Sequence, residues 1–106
     1  MAYIAKVVNG EVAICGTYGG IIRQFKPQSG GAAIFVDVNP SNGLMLITTE
    51  SGNIIVCTEY GGGIRSFRGD GKKIVLARWQ GNEIFTQNSD GSCVLRNPYG
   101  GWIRPL

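Results

Sequence analysis

The side chains best suited to chemistry in this chain are tyrosines and arginines that recur at fixed spacing. Tyr-Gly-Gly-x-Ile-Arg is read at Tyr18 to Arg23, Tyr60 to Arg65 and Tyr99 to Arg104, at intervals of 42 and 39 residues. A tyrosine offers an apolar face with a polar tip, and a guanidinium is a planar cation that stacks on rings and forks onto anions. Three such pairs could act as equivalent ligand sites, because both residue types are favoured at interfaces and stack on sugars or bases. They could equally be structural. Tyr would then pack on its own hairpin, the glycines would make the turn, Ile would enter the core, and Arg would face solvent or pair locally on an outer strand. Both readings stay open at this point.

Catalytic alternatives are thin. The chain has no His, which removes His-based triads, His general bases and most His-containing zinc sites. Its seven acids, Glu11, Asp37, Glu50, Glu59, Asp70, Glu83 and Asp90, form no close pair and no Asp-x-Asp run. Most stand in turns, where a solvated acid is the plain expectation. Asp37 follows an apolar run and is expected to line a channel or cap a turn. Cys15, Cys57 and Cys93 lack metal or CxxC spacing and sit in apolar runs, so buried reduced thiols are expected. No enzyme activity, cofactor or metal is implied.

Net charge is +3, short of a dedicated nucleic-acid domain. The densest basic stretch is Arg65, Arg68, Lys72, Lys73 and Arg78, diluted by Asp70; it reads as a solvated loop, with a weak polyanion patch as the alternative. Arg68-Gly69-Asp70 spells an integrin tripeptide that a Gly-rich turn produces by chance. No apolar run is long enough to cross a membrane, and from the opening Met1 to Lys6 no signal peptide is expected. A reducing cytoplasmic or virion-associated location is expected.

The elements that must position the repeated pairs are strands. Three segments align without gaps, 10–25, 52–67 and 91–106, sharing an initial Gly besides the Tyr/Arg motif. Short Ile/Val-rich runs are bounded by Gly, Asn, Asp and Ser, and no window carries a helical period. The spacing predicts an all-β single domain, 1–106, in repeat units of about 1–31 (incomplete), 32–72 and 73–106. A full unit has four antiparallel strands. The first unit lacks its first strand, with residues 3–8 matched to 45–50, so eleven strands are expected: three, four and four. Trp79 and Trp102 are not repeated, and belong in a core or at a subunit boundary.

Four-stranded units of this period resemble β-propeller blades. The run from Ile34 to Ile54 is similar to the flow of NHL and WD40-type repeats, and Gly20 to Phe25 is similar to their closing strand. The sequence departs from WD40 in lacking Trp-Asp and a structural His. Monocot β-prism lectins, with three four-stranded subdomains, are the alternative fold. Asn88 to Arg96 faintly resembles their mannose motif, with Asn88, Ser92 and Arg96 at three mismatched positions.

Three blades stacked face to face should hide both faces of the middle one, so its strands should be apolar throughout. Both end faces would stay bare. The resemblance therefore implies a partial β-propeller completed by homo-oligomerisation, with a homodimer giving six blades. Trp102 and Tyr3 are candidate subunit-interface residues. The expected function is a non-catalytic self-assembling scaffold or binding module, its small size suiting a phage-derived or engineered assembly protein. The alternatives are a lectin using Tyr18/Arg23, Tyr60/Arg65 and Tyr99/Arg104, or a binder of anionic ligands or nucleic acid.

Overall fold

The computed structural model describes residues 3–69 and 71–106. The expected tally of strands is found. β1 (Ile4–Val8), β2 (Glu11–Cys15) and β3 (Ile21–Phe25) form a three-stranded sheet. β4 (Ala33–Val38), β5 (Met45–Thr49), β6 (Ile54–Cys57) and β7 (Gly63–Phe67) form a second sheet in chain order. β8 (Ile74–Gln80), β9 (Glu83–Asn88), β10 (Cys93–Arg96) and β11 (Trp102–Pro105) form a third. All pairings are antiparallel. Asp70 of the Arg-Gly-Asp tripeptide lies outside the described residues.

The middle sheet explains the apolar runs. Side chains alternate across a strand, yet every residue of β5 and β6 is buried. Met45, Ile47, Ile55 and Cys57 pack with Val12 and Ile14 of the first sheet. Their neighbours Leu46, Ile54 and Val56 pack with Ile74, Ala77 and Ile84 of the third. A sheet sandwiched in this way is a central blade. A threefold prism would bury one face of every sheet and leave the other wet.

The register of the first unit differs by one from the sequence alignment. Ile4 pairs with Cys15, as Met45 pairs with Cys57, so Ile4 rather than Tyr3 is the structural equivalent of Met45. The cause is a shorter hairpin. Asn9 and Gly10 have φ of 52° and 78°, a two-residue type I′ loop, whereas three residues separate the paired Thr49 and Asn53. A one-residue slip exchanges the two faces of a strand. Ala5 and Val7 therefore face the second sheet, and Ile4 and Lys6 face away and are exposed.

Side chains of the second sheet also reach β8. The Ala77 N–H donates to Thr48 Oγ1 at 3.1 Å, and the Trp79 N–H to Asp37 Oδ2 at 2.7 Å. Asp37 thus clips one blade to the next.

Candidate functional site

The Tyr-Gly-Gly segment is a hairpin loop of one geometry, used three times. In the first unit the Gly16 N–H donates to Gly20 O and the Gly19 N–H to Gly16 O, both at 2.9 Å. Thr58 to Gly62 and Asn97 to Gly101 repeat the pair of bonds. The third loop residue, Gly19, Gly61 or Gly100, has φ of 92°, 86° or 90°, a left-handed conformation that favours glycine. The tyrosines are carried at the loop tips.

A β-bulge follows in each outer strand. Arg23 stands opposite Ile14, but Ile21 stands opposite Cys15, leaving Ile22 within the irregularity. β7 and β11 share the pattern around Ile64 and Ile103. All three isoleucines are exposed, which corrects the expectation that Ile enters the core. The extra residue turns Ile outward and aims the next side chain, Arg, at the face that carries Ile14 or Val56.

That aim makes the motif a joint between neighbouring blades. The Arg23 guanidinium lies over the Tyr60 ring, 4.6 Å from its centroid, and Nη1 donates to Glu59 O at 3.4 Å. Arg65 lies over Tyr99 at 4.5 Å and donates to Pro98 O at 3.3 Å. Two residues beyond each arginine, a phenylalanine meets the same loop. A Cβ on Gly61 would touch the Phe25 ring at 3.4 Å, and one on Gly100 would overlap the Phe67 ring at 2.5 Å. Tyr therefore packs against the preceding blade's Arg, and not on its own hairpin. The sequence alignment contained Phe25, Phe67 and Leu106 in register, but the contact across blades was not read from it.

Two members of the set stand apart. Tyr18 is 100% exposed, and a Cβ on Gly19 would meet nothing. Arg104 is exposed, and among the described residues it has no ring or carbonyl partner.

The remaining candidates fall elsewhere. Tyr3 is half-buried and its hydroxyl donates to Gly43 O at 2.8 Å, within the chain; burial, then the nearby Cys57 and Glu59, pushes its pKa up to about 12. Trp102 is 54% exposed and borders a shallow open pocket with Lys72 and Asn88. Trp79 is half-buried against the core between the second and third sheets. Arg68 donates to Ser51 O at 3.3 Å. Lys72 pairs with Asp90 at 3.0 Å. Hydrogen bonds from the Ser92 hydroxyl and N–H, then the Lys72 ammonium, hold the Asp90 carboxyl well below the usual range. Arg78 covers the Phe85 ring at 4.6 Å. Glu11 accepts from Gln24, Glu50 from the Ala32 N–H, and Glu59 lies 3.8 Å from Arg23.

Of the thiols, Cys15 and Cys57 are buried, and burial pushes Cys57 up to about 12. Cys93 is half-exposed at the start of β10, short of the burial expected of it. Asn88 and Arg96 of the lectin-like stretch are buried. Arg96 donates to Thr86 Oγ1 and Gly100 O and lies over Phe67. Among the described residues no cluster of three His, Cys, Asp or Glu side chains could hold a metal.

No protein-family model and no curated protein matches the sequence. Solved structures match over 98% of this chain. The RRP9 WD40 repeats superpose with a TM-score of 0.79 at 9% identity, this chain covering 34% of that one. Saccharomyces cerevisiae Sqt1 gives 0.75 at 16% identity, with 31% of its chain covered. The β-propeller domain of Myceliophteria thermophila Cps50 (Swd1) gives 0.71 at 16% identity, with 34% covered. The fold is that of β-propeller blades, and the chain spans about a third of the length of the propellers it resembles.

Proposed function

We propose that this chain is a non-catalytic interaction scaffold that completes its propeller with a second copy, giving six blades around one channel. The observation that carries the proposal is the contrast between a middle blade packed on both faces and two end blades that each have a packed neighbour on one face only. On the first sheet Ile4 points away from the chain's interior and is 57% exposed. On the third, Phe85 alternates against the buried Ile84 and Thr86, so it faces outward, and Leu106 is 57% exposed. Exposed apolar side chains such as Ile4 and Leu106 on the outer blades draw association in water. Two copies make six blades, inside the usual range of four to eight, whereas three copies would make nine.

The non-catalytic reading draws support from the acids, because Glu11, Asp37, Glu50, Glu59 and Asp90 each hold a turn, a linker or a neighbouring strand. The glycan and anion readings draw less. The Tyr60 and Tyr99 rings are already covered by arginines, and Lys72 is paired.

Native mass measurement at micromolar concentration tests the proposal. The expected species has twice the 11.4 kDa chain mass. A monomer at tens of micromolar overturns self-completion, and a stable trimer overturns the six-blade count. Binding on a glycan array lost in Tyr60→Ala, or salt-sensitive retention on heparin, would overturn the choice of scaffold over ligand binder.

A further inference from the structure

We infer that the ring is closed head to tail by the same joint that links the blades internally: Arg104 of one copy stacks over Tyr18 of the next. This rests on the self-completion reading and specifies the surface it uses.

The same joint recurs along the chain. The joint has three parts: an arginine over a tyrosine ring, the same guanidinium on the carbonyl preceding that tyrosine, and an apolar side chain against the following glycine. All three parts are assembled between Arg23/Phe25 and Glu59-Tyr60-Gly61. All three are assembled again between Arg65/Phe67 and Pro98-Tyr99-Gly100. The donor half occurs a third time as Arg104 and Leu106, and the acceptor half a third time as Thr17-Tyr18-Gly19. These two halves lie on the opposite end blades. The acceptor is bare at its tyrosine and at its glycine. Tyr18 is fully exposed, the space over Gly19 is empty, and the backbone there has the left-handed φ of its two occupied counterparts. The donor is bare as well, with Arg104 and Leu106 both exposed.

The occupant that fits is therefore a second copy of this chain. Its third blade carries the missing arginine and apolar side chain in the spacing that the acceptor receives elsewhere. The contact is heterologous, and in a two-copy ring it occurs twice around the axis. Leu106 stands where the internal joints have Phe, so this joint has the smaller apolar part.

Loss of a cation–π contact of this kind weakens each joint by roughly tenfold. Arg104→Ala and Tyr18→Ala should each raise the dimer dissociation constant by about 100-fold, since each breaks both joints. Both side chains are exposed in the single chain, so the circular dichroism spectrum should not change. Tyr18→Phe keeps the ring and should dimerise like the wild type. An equimolar mixture of Arg104→Ala and Tyr18→Ala should form a heterodimer about tenfold tighter than either variant alone, because one intact joint is restored. Sedimentation velocity over a concentration series reads all four. A wild type that never dimerises would remove the self-completion reading itself. A wild-type dimer that Arg104→Ala and Tyr18→Ala leave undisturbed would retain that reading and overturn this joint. Equal weakening without recovery in the mixture would also overturn it, since it would deny that the two residues meet.

Discussion

The two internal junctions carry the same outer joint over different cores. Between the first and second sheets the filling is Val12, Ile14, Ala33, Met45, Ile47, Ile55 and Cys57. Between the second and third, polar groups thread the filling. Thr48 and Asp37 accept β8 N–H groups, and Arg96 is buried across Phe67 and Thr86. Arg96 aligns with Cys57 and Cys15, so the repeat unit is not copied in its interior. The Arg-over-Tyr joint survives that difference with almost unchanged distances. It is a property of the repeated loop and bulge, and does not depend on which side chains fill the core beneath. This is why its third half-joints, on the end blades, carry meaning.

Both junctions draw on one strand, β5. Leu46 and Ile47 are adjacent, both buried, and belong to opposite cores. Leu46→Ala and Ile47→Ala should each cost about 3 kcal/mol by chemical denaturation, from lost transfer energy and an unfilled cavity. If either cost less than about 1 kcal/mol, the middle blade would have one dispensable face.

The glycines grade the outer joint itself. Gly19, Gly61 and Gly100 share a positive φ, so alanine at any of them carries a backbone cost of about 1 kcal/mol. The space above them differs. A Cβ would meet nothing at Gly19, would just contact Phe25 at Gly61, and would collide with Phe67 at Gly100. Gly100→Ala should therefore cost about 2–3 kcal/mol, adding overpacking to strain. Gly61→Ala should cost about 1–1.5 kcal/mol, and Gly19→Ala about 1 kcal/mol in the single chain. In the dimer Gly19→Ala should move toward the Gly61 value, because Leu106 then occupies that space. A Gly19 value equal to that of Gly100 in dilute monomer would break the ordering.

Alkaline pH separates the two cores. Cys57 belongs to the first junction, and burial pushes its pKa from 9.0 to about 12. The folded state then keeps a proton that the unfolded chain releases. Its contribution is whole below pH 9 and declines as pH rises from 9 toward 12, by at most about 1.4 kcal/mol per unit. Tyr3, at the same junction, shifts in the same direction. Cys57→Ala should lower stability at pH 7 and flatten its decline above pH 9. An unchanged alkaline slope would mean that the thiol is not the group titrating.

Much of this arrangement was legible in the order of residues. Gly and Asn at hairpin positions marked strand boundaries, and the unbroken apolar run of β6 announced a sheet covered twice, whereas the equally apolar residues 33–36 of β4 are only partly buried. The register of β1 was legible too, had Asn9-Gly10 been weighed as the signature of a two-residue loop. The outward turn of Ile22, Ile64 and Ile103 was not. A bulge breaks the alternation from which facing is inferred, and nothing in Tyr-Gly-Gly-x-Ile-Arg marks where the extra residue goes. The Arg-over-Tyr joint was hidden for a different reason. Its partners belong to different repeats, so aligning the repeats sets each Tyr beside its own Arg and conceals the neighbour it actually meets.

The finest distinction between the two joints is electrostatic. Arg23 meets Glu59 as well as Tyr60, with the carboxylate 3.8 Å away, while Arg65 meets Pro98 at that place and has no acid there. A partly exposed ion pair of that length adds at most about 0.5 kcal/mol and is screened by salt, whereas ring stacking is much less sensitive to salt. Arg23→Ala and Arg65→Ala should each cost about 1 kcal/mol. The Arg23 cost should fall by a few tenths of a kcal/mol between roughly 0.05 and 0.5 M salt, and the Arg65 cost should hold steady. At the joint inferred between copies the same place is occupied by Thr17. Association there should follow the Arg65 pattern, so a dimer that salt readily dissociates would speak for a different, charge-driven contact.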